Sequence, residues 1–306
     1  MTTVWRLTIS TDAAEGVDPR RFCLDRDILG VGWRVDGPES LDWDAYYALG
    51  MAQYYDQRDR GWWPAVNAVA NRMAEGDLCW TRDWNGNYHV GRVTGPWRYV
   101  ATPEHAAADV VNVRACHWVP TGTVDSVPGK VLNSFRAGRT LQAVHDDTVR
   151  FHSKLQFNRA GGAPPCDLAE HAGQAMDLFA LAAPDDCEDI VGIYLQAEHG
   201  YRLIPSTCKR DTAKTEFVLR TPHAKAQVQV KQNKHLDRDD YPRDPDDPCE
   251  WFLFSTSGEY GGAPADHVHC LDPDAMRDFA FDNQTLMPGR LQRLLDYCRD
   301  PHAPPD

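Results

Sequence analysis

The segment Lys225–Asn233, with the sequence KAQVQVKQN, decides the fold of the second half of the chain. Apolar and polar residues alternate along it, which is the pattern of a β-strand with one buried face. If Val228 and Val230 face a core, Gln229 and Lys231 share the opposite face. Such a pair is equally typical of the exposed face of an amphipathic strand, so the segment by itself leaves open whether it forms a polar site.

Two acidic residues upstream favour a site. Glu216 opens the strand-like run EFVLR, thirteen residues before Gln229, and Glu188 lies in a predicted amphipathic helix that Gly200 ends. The chain therefore offers, in order, a helical acid, a Gly-Tyr pair, an acid at the start of a strand and a Gln-x-Lys pair on the next strand.

This order of residues, over positions 184–260, resembles the PD-(D/E)xK nuclease superfamily and in particular the Mrr-like restriction endonucleases. The resemblance implies a central mixed sheet on which Glu216 and Gln229 hold Mg²⁺ or Mn²⁺ and Lys231 is catalytic, while Glu188, from the helix, completes the metal shell or holds a second metal. Two departures from the usual pattern stand out: Glu216 replaces an aspartate, and Gln229 replaces a glutamate. With one anionic ligand fewer, we expect metal binding to be weaker than in an all-carboxylate site.

The chemistry of phosphodiester cleavage needs such a set of residues. A metal ion polarises the phosphate and generates hydroxide from water, and a cation offsets the charge that develops on phosphorus. Carboxylate and amide oxygens suit the first task and Lys231 suits the second. On the alternative interpretation, Glu188 and Glu216 are ordinary surface acids and Lys231 is a charge at a strand edge.

The first half of the chain has the pattern of short strands around one or two helices. Residues 63–74 carry apolar residues at helical spacing, and Asn85-Gly86 between two strand-like runs predicts a hairpin. Gly95-Pro96 predicts a further turn, and residues 110–119 a further strand. These elements predict a small, partly open barrel.

Several segments between about residues 28 and 145 resemble the PUA-like superfamily, which includes the EVE and YTH readers of modified bases. They are Gly30-Val31-Gly32-Trp33, GDLCWTR, GRVTGPWRY, Cys116-His117-Trp118 and VPGKV. The resemblance implies a pocket with aromatic walls for a flipped base. The available aromatic residues are Trp33, Trp84, Trp97, Tyr99 and Trp118. We assign Trp33 and Trp118 to the pocket because each lies beside turn-forming residues; the alternative is that they belong to the core.

The length of 306 residues suggests two domains. The Gly, Ala and Pro residues of NRAGGAPPC, which ends at Cys166, predict a linker. We therefore expect an α+β protein with a PUA-like β-barrel domain over residues 1–157 and a restriction-endonuclease-like α/β domain over residues 166–302.

Charge and cysteine content limit the classes of function. The net charge is −13, most of it in the second half, which argues against nonspecific adhesion to nucleic acid but not against a local basic groove. Nine scattered cysteines without a C-x-x-C pair predict a reduced, cytoplasmic protein, and no apolar run is long enough to span a membrane. A zinc site at His267, His269, Cys270 and Cys249 lacks a second ligand pair at zinc-finger spacing.

Together these patterns predict a modification-dependent, type IV-like DNA endonuclease, in which the N-terminal domain accepts a modified base and the C-terminal domain cuts. DNA is the expected partner, and the oligomeric state, a homodimer included, stays open. One alternative is a noncatalytic nucleic-acid-binding or regulatory protein with a degenerate nuclease fold. Another is an RNA-directed module, because PUA-like domains also read RNA.

Overall fold

A computed structural model describes residues 2–136, 138–171, 175–208 and 215–300. The chain is an α+β protein that divides into two compact units, Met1–Gln174 and Ala175–Asp306, called here the N-terminal unit and the C-terminal unit. None of the described helices has the length and apolar character needed to cross a bilayer. All nine cysteines are free thiols.

The N-terminal unit is a sheet with short helices around it. Its strands are β1 (Val4–Leu7), β2 (Ile28–Val31), β3 (Ser40–Leu41), β4 (Leu78–Arg82), β5 (Tyr88–Val100), β6 (Asn112–Gly122) and β7 (Leu141–Val144). Its helices are α1 (Pro19–Asp25), α2 (Trp43–Gly50), α3 (Trp62–Asn67), α4 (Pro103–Ala108), α5 (Gly129–Arg136) and α6 (Asp147–Arg159). The helix predicted over residues 63–74 is present as α3 followed by a wider π-helical turn, Ala68–Arg72.

The strand order in this unit is β2-β6-β5-β4-β1-β7, with β3 also paired to β5. The pairing of β1 with β4 is parallel and the others are antiparallel. Among the described residues no pairing joins the two outer strands, β2 and β7. The sheet is therefore open, and the expected PUA-like barrel is not confirmed.

The predicted hairpin is present, but the predicted turn at Gly95-Pro96 is wrong. β4 and β5 pair as an antiparallel hairpin around Asn85-Gly86, with Gly86 at φ +84°. β5 continues through Gly95 and Pro96. It pairs with β6 on both sides of these residues, and the register of the pairing shifts between Val93 and Trp97. A bulge absorbs the two residues that cannot pair regularly, so the chain bends without reversing.

The segment predicted as a linker is packed on the N-terminal unit. The Asn158 side chain donates to Cys166 O at 2.9 Å and accepts from Cys166 N at 2.6 Å. Arg92 on β5 donates to Pro164 O at 2.9 Å. These backbone groups are satisfied within the unit, and the division between the units comes later, after Gln174.

The described part of the C-terminal unit contains a five-stranded mixed sheet, a separate pair of short strands and four α-helices. Its strands are β8 (Arg202–Leu203), β9 (Phe217–Arg220), β10 (Lys225–Lys231), β11 (Leu236–Asp237), β12 (Glu250–Ser255), β13 (Tyr260–Gly261) and β14 (Val268–Leu271). Its helices are α7 (Leu178–Leu181), α8 (Pro184–His199), α9 (Pro273–Asp282) and α10 (Gly289–Arg299). The sheet has the order β14-β12-β10-β9-β8, parallel from β14 to β10 and antiparallel from β10 to β8, while β11 and β13 form a separate parallel pair. The expected central mixed sheet is therefore present.

Helix α8 is held at both ends. The carboxylate of Asp186 accepts from Ala183 N at 2.6 Å and from Nε of Arg290 on α10 at 2.9 Å, and both charged side chains are almost fully buried. Gly200, at φ +67°, ends the helix in the left-handed conformation that favours glycine. The buried ion pair fixes the turn of α8 that carries Glu188.

Candidate active site

The polar residues of β9 and β10 meet because of the strand register. Val228 pairs with Phe217 in the antiparallel ladder, and Glu216 N donates to Val228 O at 2.8 Å. One step further along, Gln229 therefore stands opposite Glu216, and Lys231 lies two residues on, on the same face. The sequence pattern predicted this face correctly, although Glu216 lies just before β9 rather than in it.

Both β10 residues donate to the same carboxylate oxygen. Gln229 Nε2 lies 2.6 Å from Glu216 Oε1, and Lys231 Nζ lies 2.5 Å from the same atom. Gln229 is only 2% exposed, whereas Lys231 and Glu216 are partly accessible. The group is therefore a connected polar cluster at the border of the core rather than a solvated strand face.

Glu188 joins this cluster from the helix side. Gln232, the neighbour of Lys231, donates to Ala182 O at 2.9 Å and to Cys187 Sγ at 3.4 Å, which ties the start of α8 to the end of β10. The pKa of Glu188 is raised to about 7, chiefly by burial and next by the charge of Glu216, while Lys231 acts to lower it. Within the described part of the chain, the Glu188 carboxyl makes no hydrogen bond or ion pair.

The donor set suits a hard divalent cation. Glu188 and Glu216 supply carboxylate oxygens and Gln229 can supply an amide oxygen, which are the ligand types that Mg²⁺ accepts. Burial and the charge of Glu216 raise the pKa of Glu188, so positive charge bound beside these carboxyls would favour their ionised forms. The site holds two acids and an amide, one acid fewer than a three-carboxylate centre. Accordingly, the described residues contain no group of three or more His, Cys, Asp or Glu side chains that could hold a metal.

The absence of such a metal-binding group among the described residues also applies to the alternative zinc site at His267, His269, Cys270 and Cys249. His269 Nε2 lies 2.7 Å from Glu250 Oε2, and His267 Nε2 lies 3.0 Å from Tyr241 O. Both imidazoles are thus used in ordinary structural contacts, and they do not form a metal-binding group with Cys249 and Cys270.

The N-terminal unit has a pocket of about 450 Å³, and Trp33 lines it. Trp33 has φ +64°, a strained value for a bulky residue, and its Nε1 donates to Asp59 Oδ2 at 2.9 Å. Tyr54 and Asp109 line the same pocket. Asp109 was not predicted from the sequence. The one signal in the sequence is the Gly30-x-Gly32 pair, because glycines often mark places where other atoms approach the backbone closely.

Trp118, the second tryptophan assigned to the pocket, lies in the core. It is 8% exposed, its Nε1 donates to Ile28 O at 2.7 Å, and its ring covers Gly91 of β5. Its place within β6 turns the ring towards the core instead of a rim. The structure therefore does not bring Trp33 and Trp118 to one pocket.

No protein-family model matches the chain, and no curated protein matches it in sequence. Among solved structures, the "DNA modification-dependent restriction endonuclease AspBHI" aligns with 96% of this chain and 84% of its own, at 12% sequence identity and a TM-score of 0.24. A TM-score this low does not establish a shared fold.

Proposed function

We propose that the protein is a metal-dependent DNA endonuclease whose C-terminal unit cleaves the phosphodiester and whose N-terminal unit accepts a modified base. The observation that carries the first part is the convergence of Gln229 and Lys231 on Glu216 at one end of β10, with Glu188 near enough for the charges of Glu216 and Lys231 to shift its pKa. The Trp33 pocket supports the second part.

Each residue of the cluster has a role in this proposal. Glu188, Glu216 and Gln229 would hold Mg²⁺ or Mn²⁺, which when bound polarises the phosphate and lowers the pKa of water. Glu216 also orients the Lys231 ammonium through their ion pair. Lys231 offsets the negative charge that develops on the phosphate oxygens in the transition state.

A noncatalytic role is the second candidate, because one observation favours it. The hydrogen-bond donors of Gln229 and Lys231 are both directed at Glu216, a closed arrangement that also suits a purely structural polar cluster. The deciding experiment incubates the full chain with plain and modified duplex DNA in Mg²⁺, in Mn²⁺ or in EDTA. Cleavage that depends on the metal supports the nuclease, and binding without cleavage in any metal supports the noncatalytic protein.

Gln229→Glu is expected to lower the Mg²⁺ concentration that gives half-maximal cleavage. The substitution keeps an oxygen in place and adds a negative charge next to the cation, and we expect roughly a tenfold shift, or about 1.4 kcal/mol. The maximal rate is a poorer measure, because the new carboxylate can compete with Glu216 for Lys231. The measurement is a titration of cleavage against Mg²⁺ for both proteins.

The matched control is Gln229→Met, which keeps the approximate volume and removes the oxygen. It is expected to raise the Mg²⁺ requirement. Three superimposable titration curves would remove Gln229 from the metal site.

Trp33→Ala is expected to weaken binding of modified DNA selectively. Stacking of a base on an aromatic ring contributes ~1–3 kcal/mol, so affinity should fall by roughly 5- to 150-fold. The measurement is fluorescence anisotropy in EDTA, with a panel of duplexes that each carry one modified cytosine or adenine and with the plain duplex. Trp84→Ala removes an exposed tryptophan that does not line the pocket, and it should leave the ratio of the two affinities unchanged. Equal losses in both variants would contradict the role of Trp33.

A further inference from the structure

Two arginines stand next to each other on the antiparallel part of the sheet in the C-terminal unit. Arg202 on β8 pairs with Arg220 on β9, and Lys225 on β10 pairs with Arg220 from the other side. Directly paired residues project from the same face with Cβ atoms about 5 Å apart, and like charges in such positions repel each other. Arg202 and Arg220, called here the arginine pair, therefore form a local basic surface in a chain whose net charge is −13.

The charge of the arginine pair is not balanced by the described part of the protein. Lys225 forms an ion pair with Asp247. Arg202 and Arg220 are exposed, and within the described residues their guanidinium groups make no hydrogen bond or ion pair. Arg220 also lines a cavity of about 430 Å³, so an anion can reach its side chain. Both arginines are thus available to an anionic ligand.

A closed turn holds Arg220 in place. Thr221 N donates to Ala224 O at 2.9 Å, and Ala224 N donates to Thr221 Oγ1 at 2.9 Å. These bonds connect β9 to β10 directly after Arg220, so the backbone of the arginine is fixed by the hairpin. A ligand would have to order its side chain only, which keeps the entropic cost of binding low.

The arginine pair lies on the same face of the sheet as the candidate active site. Arg220 follows Glu216 by four residues, and an even number of residues returns a strand to the same face. At a rise of about 3.3 Å per residue, the two positions lie about 13 Å apart along the strand. The paired residues between them, Val218 and Gln227, are uncharged. No acid of these two strands therefore separates the site from the arginine pair on this face.

We propose that Arg202 and Arg220 bind backbone phosphates of the DNA whose scissile phosphate lies at Glu216 and Lys231. Each strand of a duplex carries one phosphate per about 3.4 Å of its axis, so about 13 Å corresponds to roughly four nucleotide steps. Such contacts fix the position and orientation of the DNA and carry no sequence information. The proposal rests on the proposed function, and it names the surface of the C-terminal unit that holds the substrate.

The test measures the salt dependence of DNA binding by the full chain in EDTA. Arg202→Gln and Arg220→Gln each remove one charge, and each lost phosphate contact should lower the slope of log affinity against log salt by about 0.9. Between about 50 and 200 mM NaCl, the affinity of each variant should then fall about 3.5-fold less than that of wild type, and that of the double variant about 12-fold less. The measurement is fluorescence anisotropy with a short, plain, labelled duplex.

The matched control is Arg277→Gln on α9. Arg277 pairs with Asp274, and its substitution changes the net charge of the chain by the same amount. Its slope should equal that of wild type. An equal change in slope for the control and for Arg220→Gln would show an effect of overall charge only and would overturn the proposal. Wild-type slopes in both variants of the arginine pair, with unchanged melting temperatures, would also overturn it.

Protection of the sheet edge is the competing explanation for Arg202. β8 is an outer strand of its sheet, and charged side chains on such strands hinder pairing with a second chain. Sedimentation velocity of the same variants reports on this role. Self-association of the variants, combined with a wild-type salt slope for the monomer, would assign the arginines to edge protection and overturn the proposal.

Failure of this proposal is distinguishable from failure of the nuclease assignment. Metal-dependent cleavage by the wild-type chain, together with unchanged slopes in the variants, rejects the arginine pair as a DNA contact and leaves the nuclease in place. Binding without cleavage in any metal, together with reduced slopes, rejects the nuclease and retains the arginine pair as a phosphate-binding surface.

Discussion

Lys231→Ala is expected to lower the rate of DNA cleavage by about 10²–10³-fold, the usual effect of removing one group that stabilises transition-state charge. Lys231 is partly accessible and ends β10, so its side chain contributes little to the core. DNA binding and the melting temperature should stay nearly unchanged. Single-turnover cleavage with saturating metal is the measurement, because it isolates the chemical step from product release.

The matched control for this variant is Lys225→Ala at the other end of the same strand. Lys225 pairs with Asp247 and lies outside the cluster, so cleavage should stay within a factor of about two of wild type. Glu216→Ala should reproduce the loss seen for Lys231→Ala and should also weaken Mg²⁺ binding in calorimetry. Full cleavage by the Lys231 variant would exclude the assigned role.

Asp186→Ala is expected to destabilise the C-terminal unit by about 3 kcal/mol, because it leaves the buried Arg290 guanidinium without its carboxylate partner. It also removes the acceptor for Ala183 N at the start of α8. Hydrogen exchange of the α8 amides reports on this unit specifically, and exchange through unfolding should become about a hundredfold faster.

Glu198→Ala on the same helix is the control, since Glu198 is exposed and should change stability by less than about 0.5 kcal/mol. The double variant Asp186→Leu with Arg290→Met replaces the ion pair by apolar side chains and should recover part of the lost stability. If Asp186→Ala exchanges at the wild-type rate, the ion pair does not hold α8 in place.

Local patterns in the sequence were sufficient for the elements that carry the candidate site. The alternation in Lys225–Asn233 predicted β10 and the shared face of Gln229 and Lys231, because the two-residue period of a strand is a property of its backbone. Asn85-Gly86 predicted the β4–β5 hairpin for a similarly local reason, since the turn requires positive φ. The Gly95-Pro96 prediction failed because pairing along both sides of the bulge overrides the local turn preference.

Only the tertiary structure decided which of these residues meet and how far each is buried. The register of β9 against β10 places Glu216 opposite Gln229, and the contacts of Gln232 and Asp186 place Glu188 beside them, across separations that no local pattern spans. Burial of Trp118 and the approach of Asp109 to Gly32 likewise depend on strands distant in sequence. A periodic pattern specifies which face of an element is apolar, but the position of one element against another depends on packing and hydrogen bonds between residues far apart in the chain.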